Sequence, residues 1–436
     1  MKIINKLEKI HKNARITLPS SKSYLNRALI VASIRKYNTK LTHITDICDD
    51  VKDLIKCLQS IGIKIEVNDG KNEIKTIKVY GKNGVFQKPK NAIINCGLGG
   101  TTARFLLGLS LLFDFEAEIT ANGKMLERPV NSLLDVIKLL GKNVKYLQNV
   151  NCLPVKISGK IVGNIDKIEI DCSKSSQFLS AILLVADKIG LKQVVAKNIV
   201  SKTYINITKD VLDHFGMDVE LKEENNNLIC NINKDIYKKD TTKQIPIEID
   251  WSSASYFLAL EFLFNTKLKI EGLEQKTSQG DSKFIEILEK IKTFSKNHNN
   301  DKNNILEINM GTMPDVSMTA MVICAFQNFT TKITGLGTLK NKECDRLKAM
   351  HDEFRKIGIK TEITKEYDAI TIYGNANLNL QNDIEIETYN DHRIAMCFAV
   401  VGAKLGHIII EKPDVVSKSF PIFWKELRKC YIEKYE

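Results

Sequence analysis

The 436-residue sequence predicts an α/β fold in which six repeats are divided between two domains. Three observations carry this prediction: a polar, helix-starting cluster that recurs six times, a second recurring piece made of a helix and a strand, and the length of the chain. At 436 residues the chain exceeds the size at which one hydrophobic core stops growing. Six repeats in a chain of that size give three repeats per domain.

The first recurring piece is a short polar cluster that leads into an almost unbroken apolar run. In the clearest copy, residues 19–23 (PSSKS) precede residues 28–32 (ALIVA). Serine hydroxyls satisfy free N–H groups at a helix start, and a helix that is apolar on nearly all sides must be buried. The six starts, spaced by 79, 75, 77, 63 and 76 residues, are Ser20, Gly99, Lys174, Trp251, Pro314 and Asn390.

The second recurring piece is an amphipathic helix that ends at a glycine and is followed by an alternating strand. Residues 51–61 carry apolar side chains at helical spacing, Gly62 ends the helix, and residues 63–67 (IKIEV) alternate. Copies lie at residues 133–147, 210–221 and 347–363, whereas the copy at 284–288 lacks the glycine. Each repeat is therefore expected to hold a buried helix, a half-exposed helix and several short strands.

Composition limits the class of protein. The ten cysteines include no C-x-x-C pair, and neither a secretory segment nor a run of ~18 apolar residues is found, so we expect a cytoplasmic protein that does not enter a membrane. A formal charge of +12 favours anionic partners, either small charged substrates or nucleic acid. The lysines are interleaved with 52 acidic residues and no aromatic-rich RNA-binding signature is present, so we expect no nucleic acid partner. As a separate expectation, the protein is a monomer.

Convergence of the helix starts would line an interdomain cleft with anion ligands. Charge-assisted hydrogen bonds to phosphates and carboxylates contribute roughly 1.5–3 kcal/mol each, although each cation taken alone also fits a solvated surface. Asp315 and Glu343 lie among the cations as candidates for proton transfer, or as a helix cap and a first-turn acid. The cations are Lys22, Arg27, Arg104, Lys124, Arg128, Lys342, Arg346, Arg393 and Lys418.

No cofactor or metal is expected. The histidines do not cluster at metal-ligand spacing, and no Walker or G-x-G-x-x-G fingerprint occurs. Residues 97–102 (GLGGTT) come nearest to a phosphate loop and are a weak signal alone.

Several ordered motifs then resemble the EPSP synthases (3-phosphoshikimate 1-carboxyvinyltransferases), from residue 18 to residue 421. They are residues 18–23 (LPSSKS), 171–179 (DCSKSSQFL), 200–205 (VSKTYI), 342–347 (KECDRL), 388–396 (TYNDHRIAM) and 416–421 (VSKSFP). The resemblance implies the enolpyruvyl transferase fold, an inside-out α/β barrel: each domain holds three βαβαββ units around buried parallel helices, and the active site lies in the interdomain cleft.

The residues alone place one domain boundary near residues 246–248. The resemblance implies a second crossing, which gives an N-terminal lobe of residues 20–247 and a C-terminal lobe of residues 1–19 and 248–436.

The resemblance also implies the reaction: transfer of the enolpyruvyl group of phosphoenolpyruvate to the 5-hydroxyl of shikimate-3-phosphate, with release of phosphate, in the shikimate pathway to chorismate and the aromatic amino acids. Asp315 is implied as the base and Glu343 or Lys22 as the acid. The residues implied to bind shikimate-3-phosphate are Lys22, Ser23, Arg27, Ser175, Ser176, Gln177, Ser201, Asp315 and Lys342. Those implied to bind phosphoenolpyruvate are Lys22, Gly100, Lys124, Gln177, Arg346, Arg393 and Lys418.

Three positions depart from the family pattern. Leu98 and Thr338 stand where asparagine is common, and Lys124 stands where arginine is common. Lysine keeps the charge but loses the planar fork, which predicts weaker phosphoenolpyruvate binding. The resemblance also implies that Gly100 holds a position where a larger residue would crowd glyphosate, an inhibitor that resembles a ligand of the phosphoenolpyruvate site, so we expect a glyphosate-sensitive enzyme.

The sequence also allows two alternative functions. The related transferases that act on UDP-N-acetylglucosamine carry Lys-Asn where this chain has Lys22 and Ser23, and a cysteine in the loop that here spans residues 121–127. The second alternative is a noncatalytic protein that binds anions or nucleic acid. Such a protein should have a broad basic face and an affinity that falls steeply with salt concentration. The carboxylates of Asp315 and Glu343 argue against it, because they would not strengthen the binding of anions.

Overall fold

The computed structural model describes residues 1–11, 14–70, 74–163, 165–233, 243–273, 276–297 and 304–431. The chain divides into two compact units. Unit 1 comprises Met1–Pro19 and Ile249–Glu436, and unit 2 comprises Ser20–Glu248. Each unit buries a hydrophobic core of its own.

The described residues form the following strands and helices. The strands are β1 (Lys2–Ile4), β2 (Arg15–Ile16), β3 (Asn38–Ile44), β4 (Lys64–Asp69), β5 (Lys75–Tyr80), β6 (Ile93–Asn95), β7 (Ala117–Thr120), β8 (Asn143–Tyr146), β9 (Val155–Ser158), β10 (Lys167–Asp171), β11 (Gln193–Lys197), β12 (Asp218–Glu224), β13 (Asn227–Asn233), β14 (Lys243–Pro246), β15 (Lys269–Ile270), β16 (Ile305–Asn309), β17 (Thr330–Thr334), β18 (Thr361–Ile363), β19 (Ile370–Tyr373), β20 (Ile384–Ile386) and β21 (Ile408–Ile410). The helices are α1 (Lys22–Ile34), α2 (Asp49–Ser60), α3 (Gly100–Leu109), α4 (Asn131–Leu139), α5 (Gln177–Leu183), α6 (Thr203–His214), α7 (Trp251–Leu263), α8 (Phe284–Asn297), α9 (Ser317–Ala325), α10 (Arg346–Lys356), α11 (His392–Leu405) and α12 (Phe423–Arg428).

The sheets repeat one pairing pattern. The first strand runs parallel to the second, the second antiparallel to the third, and the third antiparallel to the fourth. In unit 2 the orders are β14-β3-β5-β4, β6-β7-β9-β8 and β10-β11-β13-β12, and in unit 1 the order β16-β17-β19-β18 follows the same rule. Unit 1 also holds β1-β21-β20 and the pair β2-β15, so both N-terminal strands belong to it.

The buried helices follow the apolar runs. Every residue of α3 and of α9 is buried, as is the stretch of α1 from Tyr24 onward. In unit 1 the helices α7, α9 and α11 pack against one another, and in unit 2 α3 packs against α1 and α5. In three segments of the chain the elements follow in the order strand, helix, strand, helix, strand, strand. These segments run from β6 to β9, from β10 to β13 and from β16 to β19. The predicted α/β fold of βαβαββ repeats is confirmed.

The second recurring piece also forms as predicted. Helix α2 turns its apolar side chains inward and leads into β4, and Gly62 between them has a φ of +89°, which a residue with a side chain rarely adopts. The copy without a glycine is helix α8.

The polar clusters stand where the buried helices begin. The Ser21 hydroxyl caps α1 by accepting from the Tyr24 N–H at 3.3 Å, and the Asp391 carboxylate caps α11 by accepting from the Arg393 N–H at 2.9 Å. Helices α3, α5 and α7 begin at Gly100, Gln177 and Trp251, within the predicted clusters. No helix in the described part of the chain is long and apolar enough to cross a membrane.

Candidate active site

In unit 1, Asp315 lies at the centre of a cluster of cations. Its Oδ1 accepts from Lys342 Nζ at 3.1 Å and from Arg346 Nη1 at 3.3 Å, while its Oδ2 accepts from Arg393 Nη2 at 3.0 Å. Arg393 Nη1 also donates to the Asp315 carbonyl oxygen at 3.1 Å. The short turn Pro314–Val316 before α9 presents this carboxylate, and no side-chain cap is formed there. The contacts therefore differ from those of a helix cap.

Arg346, at the first position of α10, joins three carboxylates. Its Nε donates to Asp391 Oδ2 at 2.6 Å and its Nη2 donates to Glu343 Oε2 at 2.8 Å, in addition to its bond to Asp315. Only 2% of the Arg346 side chain is exposed. The opposite charges around it outweigh the effect of burial and raise the pKa of its guanidinium above the ordinary value.

Glu343 connects Arg346 to Lys418. Its Oε1 lies 3.2 Å from Lys418 Nζ, which the turn Pro413–Lys418 presents. The structure thus brings together all the residues of unit 1 that were predicted from the sequence as site residues: Asp315, Lys342, Glu343, Arg346, Arg393 and Lys418.

The charges around Asp315 set its protonation state. Burial raises the pKa of this carboxyl, but the cations of Arg393, Lys342 and Arg346 together outweigh burial and hold the pKa well below its usual range. Asp315 is therefore ionised, and it is a weak base as long as the three cations stay on it. Asp281, which is 4% exposed, shows the opposite balance: burial and the charge of Asp315 raise its pKa to about 6.

In unit 2, Arg27 is a buried cation held by neutral groups. It is 1% exposed; its Nε donates to Thr208 Oγ1 at 2.8 Å, its Nη1 to the Ser23 carbonyl at 2.7 Å and its Nη2 to Ser180 Oγ at 3.2 Å. Its guanidinium also lies over the Phe105 ring. Burial lowers the pKa of Arg27 to about 9, because no carboxylate among the described residues forms an ion pair with it.

Lys22 opens helix α1 and donates to Asp50 Oδ2 at 2.8 Å. Asp50 is 3% exposed and also borders the start of α3, where its backbone carbonyl accepts from Thr102 Oγ1 at 3.2 Å. This contact joins the N-terminus of α1 to that of α3.

Gln177 opens helix α5 and is oriented by Arg104. The Arg104 Nη1 donates to Gln177 Oε1 at 2.6 Å, and the Gln177 Nε2 donates to Thr101 Oγ1 at 3.0 Å. Arginine has only donors, so the carboxamide oxygen must face Arg104 and the amide nitrogen must face away from it. The Ser175 hydroxyl accepts from the Gln177 N–H at 3.2 Å. The starts of α1, α3 and α5 are thus linked through polar side chains.

The other predicted residues of unit 2 differ in exposure. Ser176 is buried next to Gln177, and Ser201 lies in the turn before α6 with a φ of 49°. Lys124 is half-exposed and pairs with the exposed Glu127, as a solvated surface cation does.

Two of the positions that depart from the family pattern, Leu98 and Thr338, differ in their exposure. The Leu98 side chain is 50% exposed and approaches Gly123, next to Lys124. The Thr338 hydroxyl is buried without a hydrogen-bond partner among the described residues.

Sequence reasoning missed the carboxylates that hold the cations. Asp391 was visible as part of a helix-starting cluster, but its bonds to Arg346 gave no signal. Asp50 directly precedes the amphipathic pattern of residues 51–61, and nothing in the sequence marked it as the partner of Lys22. No group of three or more His, Cys, Asp or Glu residues suited to a metal ion occurs within the described ranges.

Comparisons with known proteins agree over nearly the whole chain. The family model described as EPSP synthase (3-phosphoshikimate 1-carboxyvinyltransferase) matches residues 7–427. The 3-phosphoshikimate 1-carboxyvinyltransferase of Pseudoalteromonas translucida is 34% identical over 423 residues, which cover 95% of this chain and 96% of that protein. The enzyme of the same name from Colwellia psychrerythraea is 33% identical over 435 residues, covering 97% and 98%.

A solved structure of EPSP synthase from Acinetobacter baumannii superposes with a TM-score of 0.72 and 22% sequence identity, over 98% of this chain and 97% of that one. At this identity the likeness supports the fold. Because the family match and the sequence relatives extend over nearly the whole chain, the chain belongs to the EPSP synthase (3-phosphoshikimate 1-carboxyvinyltransferase) family.

Proposed function

We propose that the chain catalyses the reaction of its family: it transfers the enolpyruvyl group of phosphoenolpyruvate to the 5-hydroxyl of shikimate-3-phosphate and releases phosphate. The observation that carries this proposal beyond family membership is the Asp315 carboxylate within reach of Lys342, Arg346 and Arg393. Cations bind anionic substrates, and a carboxylate among them supplies a base. A protein that only bound anions would gain nothing from that carboxylate.

We assign the substrate ligands as the family resemblance implies. Shikimate-3-phosphate is bound by Lys22, Ser23, Arg27, Ser175, Ser176, Gln177, Ser201, Asp315 and Lys342. Phosphoenolpyruvate is bound by Lys22, Gly100, Lys124, Gln177, Arg346, Arg393 and Lys418. Supporting this assignment, Arg27 is a buried charge that lacks an anionic partner among the described residues, and Gln177 is held in one amide orientation.

The first chemical step is removal of a proton by Asp315. Although burial raises the pKa of this carboxyl, the cations of Arg393, Lys342 and Arg346 hold it low, which makes Asp315 a weak base. When the carboxylate of phosphoenolpyruvate forms ion pairs with Arg346 and Arg393, the two arginines interact less strongly with Asp315, and the pKa of Asp315 rises. The base therefore gains strength when the second substrate is bound. It then takes the 5-hydroxyl proton while that oxygen attacks C2 of phosphoenolpyruvate.

The second proton goes to the vinyl carbon and comes from Glu343 or from Lys22. Glu343 forms ion pairs with Arg346 and Lys418, and Lys22 forms an ion pair with Asp50. The resulting tetrahedral intermediate carries a methyl group, the new ether oxygen and the phosphate. Loss of a methyl proton and of phosphate restores the double bond and gives 5-enolpyruvylshikimate-3-phosphate. The clustered cations stabilise the anionic groups throughout.

The proposal extends to the localisation, the oligomeric state, the cofactor requirement and the lobes of the enzyme. We propose a cytoplasmic monomer that needs no cofactor and binds no nucleic acid, with residues 20–247 as one functional lobe and residues 1–19 and 248–436 as the other.

The test is phosphate release by the purified protein with phosphoenolpyruvate and either shikimate-3-phosphate or UDP-N-acetylglucosamine, in the presence of a metal chelator. The proposal expects release with shikimate-3-phosphate alone. Release with UDP-N-acetylglucosamine would favour the related transferase, and release with neither acceptor would favour the noncatalytic binder.

A further inference from the structure

A cavity of unit 1 lies where strand β1 adjoins helix α12 and the residues that follow this helix. It has a volume of about 220 Å³, and none of its lining residues belongs to the cluster around Asp315 or to the substrate ligands assigned above. Three kinds of side chain line it: the buried apolar Ile4 and Leu427, the aromatic Trp424 and Tyr431, and the cations Lys2 and Arg428.

The two aromatic rings are held in place by backbone carbonyls. Trp424 Nε1 donates to the Pro413 carbonyl oxygen at 3.0 Å, and the Tyr431 hydroxyl donates to the Asn5 carbonyl oxygen at 2.7 Å. The polar ends of both side chains are therefore already satisfied. What the rings offer to a ligand is aromatic surface in a fixed orientation.

The two cations of the cavity form no ion pair with a carboxylate of the described residues. Lys2 Nζ lies over the Trp424 ring, 5.1 Å from its centroid, and Arg428 is exposed at the end of α12. The acidic residue of that helix, Glu426, is 1% exposed and pairs instead with Lys429 at 2.7 Å. The cavity thus presents two positive charges to a ligand, and none of its lining residues is acidic.

Size, shape and charge together select the ligand. Sites for drug-sized molecules occupy roughly 300–1,000 Å³, so a cavity of about 220 Å³ suits a molecule with a single ring. Aromatic walls favour an aromatic ring, which packs against them edge-on or offset. The planar guanidinium of Arg428 matches both oxygens of a carboxylate, and Lys2 adds a second positive charge.

We propose that this cavity binds a small aromatic carboxylate, whose ring packs against Trp424 and Tyr431 and whose carboxylate pairs with Arg428 and Lys2. The site goes beyond the proposed function, because it shares no residue with the assigned substrate ligands and its occupation requires neither substrate.

The test measures binding of 4-fluorobenzoate to the full chain by ¹⁹F NMR, with 4-fluorobenzamide as an uncharged probe of similar size. The protein should bind 4-fluorobenzoate with a Kd of about 1 mM or lower. It should bind 4-fluorobenzamide about 10- to 100-fold more weakly, which is the factor that a charged hydrogen-bonding group contributes. Cyclohexanecarboxylate, which has the charge but no aromatic ring, should compete about 2- to 10-fold less well than benzoate.

Substitutions at the protein surface identify the cations that bind the probe. Arg428→Met and Lys2→Met should each weaken binding of 4-fluorobenzoate by about 10-fold or more. Arg428→Lys should recover part of the loss, because it restores the charge without the planar fork. Lys425→Met is the matched control, since Lys425 is an exposed cation of the same helix that does not line the cavity, and it should leave the Kd within about twofold.

A second measurement locates the site in the wild-type protein and so does not depend on the folding of a variant. The protein is photolysed with 4-azidobenzoate, and peptide mass spectrometry identifies the labelled residues. The label should fall on residues 2–5 or 424–431 and should be reduced by excess benzoate. Shikimate-3-phosphate and phosphoenolpyruvate together should not reduce it, which distinguishes this cavity from the cations around Asp315.

Any of four results would overturn the proposal: no binding of 4-fluorobenzoate at about 10 mM, equal affinity for 4-fluorobenzamide, an unchanged Kd in Arg428→Met or Lys2→Met, or label confined to other residues. None of them bears on the proposed function, which is judged by phosphate release in the absence of an aromatic carboxylate.

Discussion

Two fully buried arginines, Arg27 and Arg346, allow a test of how the protein supports its binding groups. Arg27 is surrounded by neutral acceptors, whereas Arg346 is surrounded by carboxylates. Methionine has a similar length and carries no charge, so Arg27→Met and Arg346→Met remove the two guanidinium groups in a matched way. We expect opposite consequences for stability.

The expected change at Arg27 is small. Burial lowers its pKa from 12.5 to about 9, which corresponds to a cost of about 5 kcal/mol for holding the charge. Four hydrogen bonds to neutral groups, at about 1 kcal/mol each, offset most of this cost. The hydroxyls of Ser180 and Thr208 also bond each other at 2.8 Å, so we expect both to keep a hydrogen-bond partner after the substitution. Arg27→Met should therefore change the free energy of unfolding by less than about 2 kcal/mol.

The expected change at Arg346 is large. Its removal leaves Asp391, which is fully buried, without the donor at 2.6 Å, and it leaves Glu343 with one cation fewer. Breaking a buried ion pair on one side costs about 3–5 kcal/mol. Arg346→Met should lower the free energy of unfolding by that amount.

Urea titrations separate the two effects. Both tryptophans, Trp251 and Trp424, belong to unit 1, so tryptophan fluorescence follows the unit that contains Arg346. Far-UV circular dichroism follows both units. A loss of stability in Arg27→Met as large as that in Arg346→Met would refute the reasoning. Calorimetry should also show that Arg27→Met binds shikimate-3-phosphate about 10- to 100-fold more weakly.

Three other predictions concern the site. Asp315→Ala should lower kcat by about 10²- to 10⁴-fold while binding of shikimate-3-phosphate, measured by calorimetry, persists; near-normal turnover would exclude Asp315 as the base. Burial raises the pKa of Asp281 from 3.8 to about 6, so its ionised form destabilises the fold by about 3 kcal/mol above pH 6 and not below pH 3.8. The stability of Asp281→Asn relative to wild type should therefore rise by about 3 kcal/mol between pH 4 and pH 7, and a difference independent of pH would contradict this. Wild-type enzyme should be inhibited by millimolar glyphosate with phosphoenolpyruvate near its KM, whereas Gly100→Ala, whose β-carbon would meet Arg128 at 2.6 Å, should raise that KM and weaken inhibition. Full wild-type activity at that glyphosate concentration would contradict the assignment.

The local features of the fold could be predicted from the sequence. The serine-rich start of α1, the glycine after α2 and the alternating strand β4 are each encoded within a few neighbouring residues. Local rules of capping and periodicity suffice for such features. The recurrence of these features then predicted the repeats.

The partners of the site residues could not be predicted in this way. Arg27 bonds to Thr208 and Ser180, which lie 181 and 153 residues further along the chain, and Gln177 bonds to Arg104 across 73 residues. No local pattern specifies which side chains meet at such separations. The identities of the candidate ligands came from motifs, but their protonation states and orientations come from tertiary contacts.

The place of Arg128 shows the same limit at short range. In the sequence it lies four residues after Lys124 and is one cation among several. Only the approach of its guanidinium to Gly100 separates it from Lys124, which pairs with Glu127.

The most direct test of the central claim follows the transferred group itself. The protein is incubated with shikimate-3-phosphate and phosphoenolpyruvate labelled with ¹³C at C2, and the label is followed by ¹³C NMR while phosphate is measured in parallel. The account predicts that the label appears as the ether-bound vinyl carbon of 5-enolpyruvylshikimate-3-phosphate, with one phosphate released per label transferred. Label that stays in phosphoenolpyruvate, or that appears in pyruvate as phosphate is released, would contradict it.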